Sequence, residues 1–229
     1  VATVPTIHGE SVVMRLLDKT AFLFGLDNLG FEEQTLARYK DLLKNPHGIV
    51  LVCGSTGSGK TSTLYASLTA IYTPERKFIT IEDPVEYELE GVNQIPIRVK
   101  RGLTFATGLR AIVRQDPDVI MVGEIRDSET AEIAIRSALT GHLVLSSLHT
   151  NDAPESVSRL TDMGIQPYLI ASGVRGVLGQ RLVRRVCESC RKTVEPTDEM
   201  LNQLRAELGE NSDAVFYAGQ GCKECNDTG

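Results

Sequence analysis

The segment GSTGSGKT, residues 54–61, has the composition and spacing of a phosphate-binding loop. Its glycines allow consecutive backbone N–H groups to turn inward around a phosphate. Lys60 would reach the β- and γ-phosphates of a nucleotide, and the Thr61 hydroxyl would bind Mg²⁺. A chance Gly/Ser-rich turn is the alternative, but an apolar run before the loop and a helical pattern after it favour a nucleotide site. The predicted nucleotide contacts are Gly54, Ser55, Thr56, Gly57, Ser58, Gly59, Lys60, Thr61 and Ser62.

Two acidic clusters could supply the carboxylates that nucleotide hydrolysis requires. The first runs from Glu82 to Glu86, after the predicted strand 78–81. The second is Glu124, which follows the apolar run 119–122 and Gly123. One carboxylate would orient or deprotonate water, and another would hold the metal ion or its waters. Alone, each acid is more typical of a solvated loop, but beside a phosphate loop the acids become candidates for the site.

Two histidines, His142 and His149, bracket the predicted strand 143–148. Because they are seven residues apart, their rings would point to opposite faces of a regular strand, so they need not share a role. A structural role is the ordinary interpretation of a single histidine. At the end of a strand, either ring could instead sense a γ-phosphate.

Four of the five cysteines form two C-x-x-C pairs, and the fifth, Cys53, lies in an apolar run where simple packing is expected. Two such pairs can place four thiolates around one tetrahedral ion. The predicted zinc ligands are Cys187, Cys190, Cys222 and Cys225. With four sulfur ligands the ion would have no open position, so it would be structural. Disulfides or an iron–sulfur cluster are the alternatives.

Strands and helices must position these residues. Short segments rich in apolar residues at 49–53, 78–81, 119–122 and 143–148 predict strands, and helical patterns follow them. Leu64, Leu68 and Ile71 recur at helical spacing, and Asp127 is predicted to cap a helix over 128–140. This alternation predicts an α/β fold with a mostly parallel sheet.

We divide the chain into three regions, which are 1–30, 31–185 and 186–229. The first resembles the tail of a preceding unit, the second is the α/β domain, and the third is a small cysteine-bearing subdomain. A further helix is predicted to begin near Asp152 and to stop at Gly164, with Val157 and Leu160 on one face.

Composition narrows the class of protein. The chain is 41% hydrophobic and 24% charged, which is ordinary for a globular protein. Its formal net charge of −6 weighs against a dedicated nucleic-acid-binding module, because such modules usually carry an excess of Lys and Arg. No apolar run approaches the roughly 18–20 residues of a membrane span, and the opening segment lacks the pattern of a signal peptide. We therefore expect a cytoplasmic protein that reaches a membrane through its partners.

Four segments together resemble the ATPases of type II secretion and type IV pilus assembly. They are GSTGSGKTSTLYASL, TIEDPVEYELEGVNQ, GLTFATGLRAIVRQDPDVIMVGEIRDSETAEIAIRSALTGHLVLSSLHTNDA and GQRLVRRVCESC. Together they contain sequences similar to the Walker A motif, Asp box, atypical Walker B motif and His box of that family, in the family's order. The resemblance covers almost the whole chain and is strongest to the secretion and pilus-extension branches.

The resemblance implies a RecA-like P-loop fold and assigns site residues. Lys60 and Thr61 would bind phosphate and Mg²⁺, and Lys60 would also take part in catalysis. Glu86 would be the general base that activates water. Glu124 would organise the metal ion and its waters. The two histidines would be the His-box pair that couples nucleotide state to ring geometry.

Several arginines are candidates for supplying positive charge. Residues 1–30 resemble the end of the family's second N-terminal domain plus a linker, where Arg15 matches an arginine that reaches the nucleotide. An ordinary salt bridge is the alternative for Arg15. Arg110, Arg114 and Arg126 could reach a neighbouring phosphate, although ion pairs or solvation are favoured for these three.

The resemblance also implies an assembly and a reaction. ATP and water would be converted to ADP and phosphate in a hexameric ring that pushes on inner-membrane platform proteins, with ATP, Mg²⁺ and Zn²⁺ as cofactors. The predicted function is a motor for type II secretion, and the nearest alternative is type IV pilus extension. A DNA-translocating ATPase and a nucleotide-binding assembly module without turnover are more distant alternatives. The family pattern further implies that this chain is a fragment, with domains expected before Val1 and after Gly229.

Overall fold

The computed structural model describes residues 2–14, 25–208 and 215–229. Two compact units are present, Val1–Leu182 and Val183–Gly229. The domain boundaries expected at residues 30 and 185 remain predictions. In the described ranges, every helix is too short or too polar to cross a membrane.

The strands and helices of the first unit alternate along the chain. Its strands are β1 (Ala2–Thr6), β2 (Gly9–Val13), β3 (Gly48–Cys53), β4 (Phe78–Glu82), β5 (Asn93–Pro96), β6 (Val119–Val122), β7 (Leu143–Leu148) and β8 (Val174–Gly179). Its helices are α1 (Glu33–Leu43), α2 (Lys60–Ile71), α3 (Phe105–Ile112), α4 (Ser128–Leu139), α5 (Ala153–Asp162) and α6 (Pro167–Gly173). The second unit contains β9 (Arg191–Val194), α7 (Asp198–Leu208) and β10 (Phe216–Gly219).

Six strands form one sheet in the order β5-β4-β6-β7-β3-β8. All of its neighbouring strands are parallel, with Ile49 of β3 opposite Val144 of β7, for example. The α/β fold expected from the sequence is therefore confirmed. Because parallel strands end at the same edge, the loops that follow β3, β4, β6 and β7 converge there. Two antiparallel pairs, β1–β2 and β9–β10, lie outside this sheet.

The hydrophobic core lies on both faces of the sheet. Ile49, Leu51 and Cys53 of β3 pack in one cluster with residues of α3 and α4. Val50 and Val52 pack in a second cluster with residues of α1 and α2. This alternation is the period of a strand buried on both faces. Cys53 is fully buried, which confirms its expected packing role.

Helix ends follow the expected capping chemistry. The Asp127 carboxylate accepts a hydrogen bond of 2.8 Å from the Thr130 N–H and so begins α4 as predicted. The carboxylate of Asp152 accepts from the Glu155 N–H in the same way, at the start of α5. α3 ends at Ile112, because 113–115 tightens into a 3₁₀ turn before the left-handed Asp116.

Candidate nucleotide and metal sites

The phosphate loop connects β3 to α2, and its glycines are required by close contacts. Gly54 has a φ of 151°, and a Cβ there would lie 2.3 Å from the carbonyl oxygen of Gln180. Gly59 has a left-handed φ of 85° at the start of α2. Among the described residues, no side chain caps α2, whereas α3, α4 and α5 each have a side-chain cap. The first N–H groups of α2 therefore remain available to an anion.

Lys60 lies over this loop with little of its side chain exposed. Its Nζ donates to the carbonyl oxygens of Gly54 and Ser55, at 2.7 and 2.9 Å. Burial lowers the pKa of the Lys60 ammonium group, and the nearby Glu124 carboxylate acts in the opposite direction. The ammonium group is thus held beside the backbone that would surround a phosphate.

A cavity of about 650 Å³ opens above the loop. Its lining includes the loop residues from Thr56 to Ser62, together with Glu82, Glu86, Glu124 and His149. The structure therefore brings the phosphate loop and both predicted acids to one space. The residues fit a magnesium nucleotide, because uncapped helix N–H groups, a lysine, the Thr61 hydroxyl and carboxylates are the groups that bind one.

Both carboxylate oxygens of Glu124 are engaged. One lies 2.6 Å from Arg126 Nη2, and the other lies 3.0 Å from His149 Nε2. The hydrogen bond to Glu124 raises the pKa of the Arg126 guanidinium. Arg126 is accordingly an ion-pair residue, as favoured from the sequence. Arg110 pairs similarly with Glu129.

The two histidines lie at opposite ends of β7. His149 lines the cavity and contacts Glu124. His142 lies at the other end, roughly 20 Å away by strand geometry, where its Nδ1 is 2.9 Å from the carbonyl oxygen of Ser137. The expectation that the two need not share a role agrees with this placement. Their joint role as a His-box pair stays a prediction.

Glu82 was placed by its sequence in the loop after a strand, but it is the last residue of β4 and is buried. Its carboxylate accepts hydrogen bonds from the Tyr65 and Thr80 hydroxyls and from Gln94 Nε2, the last at 3.2 Å. The strand period was the available signal, because Thr80 and Glu82 share the face that packs on α2. Sequence reasoning named Glu82 as an acid but missed its buried partners.

Gln180 is a second residue that sequence reasoning missed. Its Nε2 donates to the carbonyl oxygen of Ser58, and its Oε1 accepts from the Thr63 hydroxyl, both at 2.7 Å. Its backbone N–H donates to the carbonyl oxygen of Cys53 at 2.8 Å. Gln180 therefore fixes the phosphate loop relative to the end of β3 and to α2. Arg15, the remaining predicted contact, lies outside the described residues.

The four predicted metal ligands meet in the second unit. The Sγ atoms of Cys187, Cys190, Cys222 and Cys225 all lie within 4.8 Å of one another. Cys187 and Cys222 are 3.9 Å apart, as are Cys190 and Cys225. These separations match the roughly 3.8 Å edge of a tetrahedron with Zn–S bonds of about 2.3 Å. They are longer than the S–S bond of a disulfide, which is about 2.05 Å.

Backbone N–H groups support the thiolate form of one of these cysteines. The N–H groups of Gly229 and Cys222 donate to Cys225 Sγ, at 3.3 and 3.2 Å. These bonds, that from Gly229 foremost, lower the pKa of the Cys225 thiol to about 6. Burial raises the pKa of the Cys190 thiol to about 11, so the pKa shifts of the cluster oppose one another. The donor set fits a zinc ion because its four sulfur atoms lie at the separations of a tetrahedral site.

Known ATPases are similar in sequence to this chain. A type IV pilus assembly ATPase, PilB, of Thermus thermophilus is 51% identical over all of this chain, which covers 26% of that protein. The type II secretion system ATPase E of Vibrio cholerae is 50% identical over all of this chain and 45% of its own length. The chain therefore spans less than half of these relatives.

Solved structures share the fold. The pilus retraction motor PilT with bound ADP superposes with a TM-score of 0.62 and 38% identity, over 70% of this chain and 48% of that one. The ATPase DotB of Legionella pneumophila gives a TM-score of 0.59 and 31% identity, over 70% of this chain and 46% of its own. The sequence profile of type II/IV secretion system proteins matches residues 1–229. This chain belongs to the type II/IV secretion system protein family.

Proposed function

We propose that this chain is the motor part of an ATPase that powers type II protein secretion across a bacterial envelope. The observation that carries the proposal is the cavity in which the phosphate loop meets Glu86 and Glu124. Phosphoryl transfer to water needs phosphate positioning, charge neutralisation and an oriented water, and these groups supply all three.

Each residue has a distinct part in this mechanism. The N–H groups of the loop and of the first turn of α2 would surround the β-phosphate, and the Lys60 ammonium group would exchange its carbonyl partners for phosphate oxygens. Thr61 and Glu124 would hold Mg²⁺ or its waters, and the ion supplies positive charge near the phosphates. Glu86 would accept a proton from the attacking water.

A second cavity would accept the nucleotide base. It has a volume of about 220 Å³, and its lining includes the apolar Leu29, Phe31 and Leu178 and the polar Gln180 and Arg181. The Phe31 ring and the apolar side chains suit a flat, weakly polar ring. Gln180 also contacts the phosphate loop, so this cavity adjoins the loop.

The cysteine cluster would hold a structural Zn²⁺ in the second unit. All four sulfurs are committed to the ion, which leaves no position for substrate. The motor itself would act as a hexamer on inner-membrane platform proteins, at the cytoplasmic side. Closing and opening of clefts around the nucleotide would convert hydrolysis into movement.

Turnover of the full-length protein tests the proposal. The specific activity of phosphate release from Mg-ATP should rise with protein concentration, because a ring assembles by mass action. Lys60→Ala should abolish ATP binding and turnover. Lys44→Ala removes a lysine that forms an exposed ion pair with Asp41 and should change neither. Full turnover in Lys60→Ala would refute the assignment of the site.

Type IV pilus extension is the second candidate, because the pilus assembly ATPase of T. thermophilus is 51% identical over all of this chain. Deleting the gene separates the two functions. Loss of exported proteins from the medium with pili intact supports secretion. Loss of pili with export intact supports pilus extension.

A further inference from the structure

Glu82 is a buried carboxylate whose hydrogen bonds all come from neutral groups. It is 3% exposed, and its described partners are Tyr65, Thr80 and Gln94. Burying a charge costs several kcal/mol unless it is paired or well hydrogen-bonded. A leucine side chain would fill the same space without the free-energy cost of burying a carboxylate. Packing alone therefore does not explain why a glutamate lies there.

The Tyr65 hydroxyl joins Glu82 to the main chain of Glu86. It donates to the Glu82 carboxylate and accepts from the backbone N–H of Glu86 at 3.3 Å. Gln94 Nε2 lies 3.4 Å from the same hydroxyl, but its two N–H groups have closer acceptors in Glu82 and the carbonyl oxygen of Tyr87. Burial, together with the Glu82 carboxylate, raises the pKa of the Tyr65 phenol, so the hydroxyl stays protonated and able to donate.

Gln94 binds the same loop from the neighbouring strand. Its Nε2 donates to the carbonyl oxygen of Tyr87 at 3.1 Å, and its Oε1 accepts from the Leu89 N–H at 2.7 Å. The Tyr87 ring also packs edge-on against Tyr65, with centroids 4.4 Å apart. The loop that carries Glu86 is thus attached to α2 on one side and to β5 on the other.

We propose that Tyr65, Glu82 and Gln94 form a buried link that sets the position of Glu86 relative to the phosphate loop. Tyr65 lies five residues after Lys60 on α2, roughly 7.5 Å along a rigid helix. The helix that receives the phosphates therefore also fixes the main chain of the proposed base. Tyr65 is a positioning residue, since it acts through Glu86. The inference rests on the proposed function in assigning the base to Glu86.

The test removes the Tyr65 hydroxyl alone. In the full-length protein, Tyr65→Phe should lower kcat for Mg-ATP about tenfold or more while KM and nucleotide affinity stay within about twofold, because misplacing a catalytic group is costly even when binding is intact. Backbone amides of residues 83–89 should exchange hydrogen faster. Gln94→Leu, which removes the link from the other side, should give the same pattern.

Tyr39→Phe is the matched control. Tyr39 is also a buried tyrosine, and its hydroxyl is bonded to Ser67 on α2 at 2.9 Å, away from the Glu86 loop. Tyr39→Phe should lower the free energy of unfolding about as much as Tyr65→Phe does, but it should leave kcat and hydrogen exchange at residues 83–89 unchanged. Wild-type kcat and exchange in Tyr65→Phe, or the same kcat loss in Tyr39→Phe, would overturn the link.

The exchange measurement separates this inference from the proposed function. If the wild type releases no phosphate, the proposed function fails. Faster exchange at 83–89 in Tyr65→Phe would then still support a link between α2 and this loop, and unchanged exchange would refute it.

Discussion

At the scale of single residues, Gln180 packs against two of the three phosphate-loop glycines that have a positive φ. Its carbonyl oxygen would lie 2.3 Å from a Cβ on Gly54, and its Nε2 would lie 2.8 Å from a Cβ on Gly59. Its side chain also bonds Ser58 and Thr63. A preorganised loop loses less entropy when a phosphate binds, so Gln180 should matter for affinity.

Gln180→Ala should weaken ATP binding by up to about thirtyfold, because two hydrogen bonds of about 1 kcal/mol each hold the loop in the shape that binds phosphate. Calorimetric titration with a slowly hydrolysed ATP analogue measures the change. Gln166→Ala, at an exposed glutamine that begins α6, is the control and should bind normally. Wild-type affinity in Gln180→Ala would contradict the role given to this residue.

At the scale of elements, the central strands were predictable. β3, β6 and β7 are buried on both faces, so β3 and β6 are apolar runs, and in β7 only Ser146 and Ser147 interrupt the apolar residues. The strands β5 and β8 were not predicted. Both lie at an edge of the sheet, where partial exposure allows polar residues and glycine to interrupt the pattern.

Helix faces were harder to predict where hydroxyl groups replace apolar contacts. Val157 was expected on the apolar face of α5 but is 44% exposed, whereas Leu160 is buried as expected. Ser156 is buried in its place, with its hydroxyl 2.6 Å from that of Thr150. A paired hydroxyl group satisfies its hydrogen bonds within the core, and a period of apolar residues cannot reveal it.

The residues of the candidate site also divide into those that the sequence could predict and those that it could not. The phosphate loop and the two acidic clusters follow local sequence patterns and could be named in advance, and the family resemblance selected Glu86 within its cluster. The partners of Glu82 and Gln180 could not, because they join residues far apart in the sequence. Tyr65 and Gln94, for example, meet through the packing of α2 against neighbouring strands.

At the scale of the whole molecule, the two units are stabilised differently. The first has buried clusters on both faces of its sheet. In the second unit, none of the residues whose burial is described is buried. So small a unit without a hydrophobic core needs a metal ion or a disulfide to fold, and its cysteines have the spacing of metal ligands.

We therefore expect one zinc ion per chain and a loss of structure confined to the second unit when it is removed. Cys222→Ser should abolish zinc binding, measured by elemental analysis, and should remove exchange protection within 183–229. Protection within 25–182 should persist. Cys53→Ala changes the cysteine outside the cluster and should retain the zinc. Full protection of 183–229 in a zinc-free protein would contradict this assignment.

The central claim, that Glu86 activates water at the phosphate loop, is tested most directly by phosphate release in Glu86→Gln. The control is Glu88→Gln, which removes the same charge from a position two residues away. Losing a general base should lower turnover by about a hundredfold or more. We predict that Glu86→Gln binds Mg-ATP normally and turns over at that reduced rate, while Glu88→Gln matches the wild type. Unchanged turnover in Glu86→Gln, or an equal loss in Glu88→Gln, would contradict the account.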